Sequence, residues 1–413
     1  MSLGLSAKSI NGFVVPSTSH EVRIIPIGLP ILASAAVLFA TAMAATLAIG
    51  FRDPRVEYAY ECVIFVLAAG WCFAVRETGM TWMPGLQLAA ILACGLLQLA
   101  LGATVYRYAT LQGSLRTAAL AATAWISCRA FQSRRLRVEF LRAFVWFGML
   151  VAVTSVLAYF TSPGKILWTF DAPYPDIWGP FLSRNNFAQF LELAMPVALW
   201  FALREAAGDL LYLSFGAVML ASGLASASRA GSAILVLEAI AVLWICRESR
   251  QVRRMALVLL LATVLLAAIP GVANLAGRLT APDPYQGRRE IAHSTLAMIA
   301  SRPWTGFGLG TFPTVYPAYA VFDAGQSVEH AHNDWLEWAA EGGIPYASIW
   351  MVLALWSVRP AARSVWGIGV LGCFLHATVD YPFARFGISA WIFLLLGMLA
   401  AATDLREVRH RLH

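Results

Sequence analysis

A chain of 413 residues that is 59% hydrophobic and only 13% charged lacks the surface of a soluble domain, since soluble domains carry about 25% charged residues. Its net charge of +7 is not a nucleic-acid footprint: most arginines sit in short connectors between apolar runs, where basic residues set the orientation of membrane helices. The six cysteines fall inside or at the ends of those runs, with no CxxC spacing to suggest a metal and no pattern that favours disulfides.

The apolar runs approach the ~20 residues that cross a hydrocarbon core as a helix. The sequence therefore predicts an all-α, polytopic integral membrane protein, a single membrane domain over 1–413. About twelve spans are expected, near 25–50, 59–75, 83–104, 114–131, 143–161, 187–203, 210–227, 231–246, 255–275, 344–358, 365–381 and 386–403. The first nine lie within 24–275 and the last three within 344–403, with a large loop carrying short amphipathic helices at 276–343. The first run is too long for a signal-peptide core and reads as an uncleaved span.

Four basic groups share a side with the N-terminus: Arg134, Arg135, Arg137 and Arg142; Arg247, Arg250, Arg253 and Arg254; Arg359 and Arg363; Arg406, Arg409 and Arg411. That side is expected to be cytoplasmic. The loop 276–343 and the connector 162–186 then face outward, and Trp168 and Trp178 of the connector suit an interfacial belt. The outward face also collects Arg184, Arg229, Arg288, Arg289 and Arg385. A cation near hydrocarbon is costly unless paired, so it usually marks function. Few acidic residues stand beside these five, and an anionic ligand would complete the balance.

Arg184-Asn185-Asn186-Phe187 opens the span at 187–203. A guanidinium and amides at a helix N-terminus can grip phosphate or sugar, or simply cap the helix. Ser228-Arg229-Ala230-Gly231-Ser232 is small around its arginine, which leaves room for a headgroup or for tight helix packing. Gly287-Arg288-Arg289-Glu290 starts a helix expected to run to about Ala300, with Ile291, Thr295, Met298 and Ile299 as one stripe and Arg302-Pro303 as its stop. Arg288 in its first turn suits bidentate phosphate contact, against the alternative of a solvated side chain. The Gly306, Gly308 and Gly310 loop lacks the GK[ST] of a nucleotide P-loop and reads as a tight turn. Without a nucleotide motif, energy must come from the substrate or an ion gradient.

His332-Asn333 precedes a second short helix that ends at Gly342-Gly343 and Pro345. Its apolar side is Trp335, Trp338 and Ala339, while Asn333, Glu337 and Glu341 share another face. His332 can serve as a general base, as a structural hydrogen-bonding group or, with His330, as a metal ligand; no third ligand has convincing spacing. His376 and Asp380 lie four apart, with Tyr381, Pro382 and Arg385 following. They are either a buried packing pair or a site in which Asp380 orients Arg385 or another arginine.

The order and placement of these pieces resemble the bacterial O-antigen ligase family, within the wider superfamily of lipid-linked polysaccharide ligases and polymerases. The resemblance covers roughly 180–390 and rests on Arg184-Asn185-Asn186-Phe187-Ala188, Ser228-Arg229-Ala230-Gly231, Gly287-Arg288 with Ile299, Pro303 and Gly306-Phe307-Gly308, His332-Asn333 with Leu336, Glu341 and Gly343, and His376 with Asp380-Tyr381-Pro382. Ala292 stands where the family often has an aromatic.

The resemblance implies a metal-independent, inverting glycosyltransferase of the bacterial inner membrane, acting at the periplasmic face without a cofactor. Its donor would be O-antigen polysaccharide on undecaprenyl pyrophosphate, and its acceptor a sugar hydroxyl of lipid A core. Membrane lipids would surround it, and nucleic acid is no partner. By the same resemblance His332 is the base that activates the acceptor hydroxyl, and Arg184, Arg229 and Arg288 hold the pyrophosphate. Asn186, Arg289, His330, Asn333, His376, Asp380 and Arg385 are further substrate-binding candidates. A polysaccharide polymerase would use the same donor. A transporter would need charges at the midplane, whereas these cluster at one face.

Overall fold

The computed structural model describes residues 28–51, 53–74, 82–172, 177–204, 209–247, 255–257, 259–261, 286–321, 325 and 327–411. Its main helices are α1 (Leu29–Leu47), α2 (Pro54–Ala74), α3 (Trp82–Ala100), α4 (Arg107–Ala130), α5 (Arg134–Thr161), α6 (Arg184–Arg204), α7 (Asp209–Ala225), α8 (Arg229–Ile245), α9 (Gln286–Ser301), α10 (Asp334–Arg363), α11 (Ile368–His376) and α12 (Phe386–Arg411). A two-stranded antiparallel hairpin, Lys165–Ile166 with Phe170–Asp171, lies in the α5–α6 connector. Residues 255–257 and 259–261 are helical; the rest of the span expected at 255–275, and 276–285 of the expected loop, lie outside the described residues.

The chain is an all-α membrane protein. Five described helices are long and apolar enough to cross a bilayer: Leu29–Leu47, Pro54–Phe73, Arg134–Thr161, Arg184–Arg204 and Phe386–Thr403. Shorter apolar helices cover Pro84–Ala100, Leu210–Ala225 and Val365–His376, so the described residues stop short of a dozen full spans. Helix α5 starts nine residues before the expected 143, because hydropathy marks only the part suited to hydrocarbon. Its polar start is held by an Arg142–Glu139 ion pair of 2.7 Å and by Arg137, which donates to the Phe131 carbonyl at 2.6 Å.

Helix α6 is apolar around nearly its whole circumference and buried likewise, from Asn186 to Leu199 without a break, as an all-round hydrophobic helix must be. Beside it, Trp391 of α12 stacks on Phe144 at 4.4 Å, meets Phe39 edge-on at 5.6 Å, and donates its Nε1 to Thr46 Oγ1 at 2.8 Å. Trp178 is no interfacial residue. It is buried, stacked between Tyr159 at 4.4 Å and Phe187 at 5.4 Å, and so pins the connector to the start of α6. Trp168 is the exposed tryptophan of the pair.

The glycine loop after α9 is a structural clamp. Gly306 and Gly308 have φ of 62° and 114°, a region that strongly favours glycine. A Cβ at Gly306 would stand 2.3 Å from the Glu341 backbone, and one at Gly308 would stand 2.2 Å from Thr104 Oγ1. The close approach allows Phe307 N to donate to Ala340 O at 3.1 Å and Gly308 N to Glu341 O at 2.9 Å. Gln98 of α3 completes the clamp. Its Nε2 donates to Thr305 O and Glu341 O, both at 2.8 Å, and its Oε1 accepts from Leu309 N at 3.1 Å. Helix α10 breaks at Gly343, with φ 77° and ψ 173°, where the sequence placed the end of a short helix. The half before the break is thus fastened at its far end by the clamp, with His332 just ahead of its near end.

Candidate active site

Asn333 caps α10: its Oδ1 accepts from Leu336 N at 3.0 Å, and its Nδ2 donates to Thr378 O at 2.8 Å. One residue earlier, His332 holds φ 52°. Left-handed backbone is uncommon outside glycine, although histidine tolerates it better than most. The neighbours enforce it. Glu337 Oε2 accepts from Ala331 N at 2.7 Å, and Asp334 N donates to Ala377 O at 2.9 Å. The strained residue is therefore fixed from both sides, as strain at functional sites requires.

Asp380 is the hub. It follows the end of α11 at His376, is 2% exposed, and its Oδ1 lies 3.3 Å from His332 Nδ1. Its Oδ2 accepts from Asn185 Nδ2 and lies 3.7 Å from the Arg288 guanidinium. Arg288 also donates to Val379 O at 2.8 Å. Burial alone would raise the Asp380 carboxyl; the His332 hydrogen bond and the charges of Arg288 and His376 outweigh it and hold the group at about 2. An ionised Asp380 accepts the Nδ1 proton of His332, which leaves Nε2 as the basic nitrogen. His332 keeps 33% of its side chain exposed, so a substrate can reach it.

The hub extends into two helix N-termini. Asn185, second residue of α6, accepts at its Oδ1 from the Ser228 hydroxyl at 2.7 Å, and Ser228 caps α8 by accepting from Gly231 N at 3.2 Å. A Cβ on Gly231 would come 2.3 Å from that of Ala188, so the small residue is what brings the two ends together. Arg184 and Arg229 are the first residues of these helices and both are half-buried. Such N-termini carry a partial positive charge.

Tyr381 forms the adjoining wall. His330 stacks on its ring at 4.5 Å, His332 meets it edge-on at 4.9 Å, and Arg385 sits over it at 4.7 Å while donating to its hydroxyl at 2.9 Å. His330 Nδ1 pairs with Glu337 Oε1 at 2.9 Å. The two histidines thus serve separate carboxylates, and among the described residues no group of three or more His, Cys, Asp or Glu side chains is placed to hold a metal.

The remaining candidates are placed apart from the hub. Asn186 is buried and donates to Gln189 Oε1 at 3.0 Å within α6, so Asn185 is the amide of that motif that reaches Asp380. Arg289 is exposed. His376 is fully buried and its ring bonds Glu192 at 2.7 Å, so it acts on Asp380 through its charge and its backbone carbonyl and not through a side-chain hydrogen bond. Tyr381 and Glu337 are contributors that sequence reasoning left out of the site, and Asn185 is one of the two amides it weighed at the start of α6 before naming Asn186. Asn185 and Tyr381 stood inside motifs it quoted, but adjacency in sequence does not tell which amide reaches Asp380.

Residues 214–351 match the family model described as O-antigen ligase, so the family resemblance holds over that segment. The segment includes Arg229, Arg288, His332 and Asn333, while Asn185 and Asp380 join it from outside. No curated protein matches the chain.

Proposed function

We infer, from an O-antigen ligase segment at 214–351 whose His332 and Arg288 converge on Asp380, that the chain is a membrane glycosyltransferase using a lipid-linked polysaccharide. The single observation that carries the reading is the shared carboxylate: one oxygen of Asp380 faces the imidazole at 3.3 Å and the other faces the guanidinium at 3.7 Å.

The proposed donor is O-antigen polysaccharide on undecaprenyl pyrophosphate, and the proposed acceptor a sugar hydroxyl of lipid A core. The hydroxyl oxygen attacks the anomeric carbon of the donor, and the bond from that carbon to the pyrophosphate oxygen breaks. His332 Nε2 takes the hydroxyl proton, and Asp380 stabilises the imidazolium that results. The electron pair leaves with the pyrophosphate, whose charge falls to Arg288 and to Arg184 and Arg229 at the two helix N-termini. One direct displacement inverts the anomeric centre. No carboxylate nucleophile and no metal is used. The face bearing His332 would be periplasmic in the bacterial inner membrane.

The test is a purified assay with a defined lipid-linked donor and two acceptors, lipid A core and lipid-linked glycan. Glycan transferred to lipid A core is the expected product. Elongation of lipid-linked glycan without transfer to lipid A core would make the protein a polymerase. Transfer to neither would overturn the reading.

A further inference from the structure

At the end of the bundle remote from Asp380 lies a cleft of ≈ 420 Å³ that the transfer reaction does not use. Arg134, Arg137, Arg204 and Arg363 line it together with Trp200 and Trp366, and none of its described lining residues is acidic. We propose that this cleft binds the phosphate-bearing headgroup of an anionic phospholipid.

Basic residues at this end of membrane helices are expected for topology alone, and topology does not require them to converge. Here they come from three separate parts of the chain: the start of α5, the end of α6 and the end of α10. Two of the guanidinium groups are also braced. Arg137 donates to the carbonyls of Phe131 at 2.6 Å and Gln132 at 3.2 Å. Arg204 lies over the Trp200 ring at 4.6 Å. Braced guanidinium groups lose less freedom on gripping a phosphate, and their planar forks match its oxygens.

Depth selects a lipid over a soluble anion. Helix α6 runs 21 residues from Arg184 at the candidate active site to Arg204 at the cleft. At 1.5 Å per residue its ends stand about 30 Å apart, the thickness of a hydrocarbon core. With Arg184 at one headgroup layer, Arg204 falls at the other. The half-buried Trp200 ring suits that depth, and basic pockets between membrane helices at that level suit acidic headgroups.

The full-length protein in nanodiscs provides the test. Phosphatidylglycerol in a phosphatidylcholine background should remain bound to wild type through native mass spectrometry and raise its melting temperature. The R134Q/R204Q double variant, both of whose residues are exposed, should retain this lipid about tenfold less well. Arg247→Gln, which removes a cation packed at 4.7 Å on Trp244 outside the cleft, should retain it as wild type does. Photoreactive phosphatidylglycerol should label wild-type peptides bearing Arg134 and Arg204, a readout that needs no variant. Equal retention by the double variant, labelling elsewhere, or equal stabilisation by inorganic phosphate without the lipid would each overturn the proposal.

Discussion

His332 Nδ1 lies 3.3 Å from Asp380 Oδ1, and the carboxylate that holds it is buried and kept at about 2. Asp380→Asn leaves the shape and removes the charge, so the imidazole loses both its fixed tautomer and its counter-ion. Transfer should fall by on the order of a hundredfold. The folded pKa lies below the ordinary 3.8, so the stability from this charge is present above that value and is lost as pH falls toward about 2. Melting curves between these limits should slope downward with acid in wild type and less steeply in Asp380→Asn. Parallel curves would show that Asp380 is not held ionised.

Arg288 and Arg289 are adjacent in sequence and differ in placement. Arg288 meets Asp380 and donates to Val379 O at 2.8 Å, whereas Arg289 is exposed. Arg288→Gln should weaken binding of undecaprenyl phosphate about tenfold or more, the worth of a charged hydrogen bond. Arg289→Gln should change it by about twofold or less, as exposed charges do. Equal losses would move the phosphate away from the Asp380 side of α9.

His376 is buried against Glu192 at 2.7 Å, both fully enclosed. Removing one member of such a pair leaves a buried polar group unmatched, at a cost of about 3–5 kcal/mol. His376→Ala should therefore lower the melting temperature sharply. A stable His376→Ala protein with impaired donor binding would return this residue to the substrate site.

Gln98 satisfies three backbone groups of the glycine clamp. Gln98→Ala should cost about 1–3 kcal/mol by leaving buried groups unpaired, measured as a lower denaturation midpoint. Gly308→Ala should be worse, because φ 114° and Thr104 Oγ1 at 2.2 Å leave an added Cβ no place. Wild-type stability in both variants would show that the loop is not a clamp.

Much of this was legible in the chain. The apolar runs gave the membrane class, and the helix break at Gly343 and the start of α9 near Arg288 followed from glycine and proline punctuation. The turn role of the glycine loop was also readable, because the nucleotide-loop lysine is missing. What could not be read is which of two adjacent polar residues reaches the site carboxylate. Asn185 rather than Asn186 reaches Asp380, and helix phase at an N-terminus decides that only once α6 and α8 pack. Gln98 was invisible for a related reason: a lone glutamine in an apolar run shows no partner until a loop more than 200 residues away docks on it. Trp178 misled because an aromatic in a connector has the same composition whether it faces lipid or core.

The most direct measurement is single-turnover transfer by His332→Asn, together with donor affinity. Asparagine accepts the left-handed backbone seen at φ 52°, so the fold is spared while the base is removed. Transfer should drop by about a hundredfold or more, with donor lipid affinity within about twofold of wild type. Transfer at the wild-type rate would contradict the assignment of His332 as the proton acceptor.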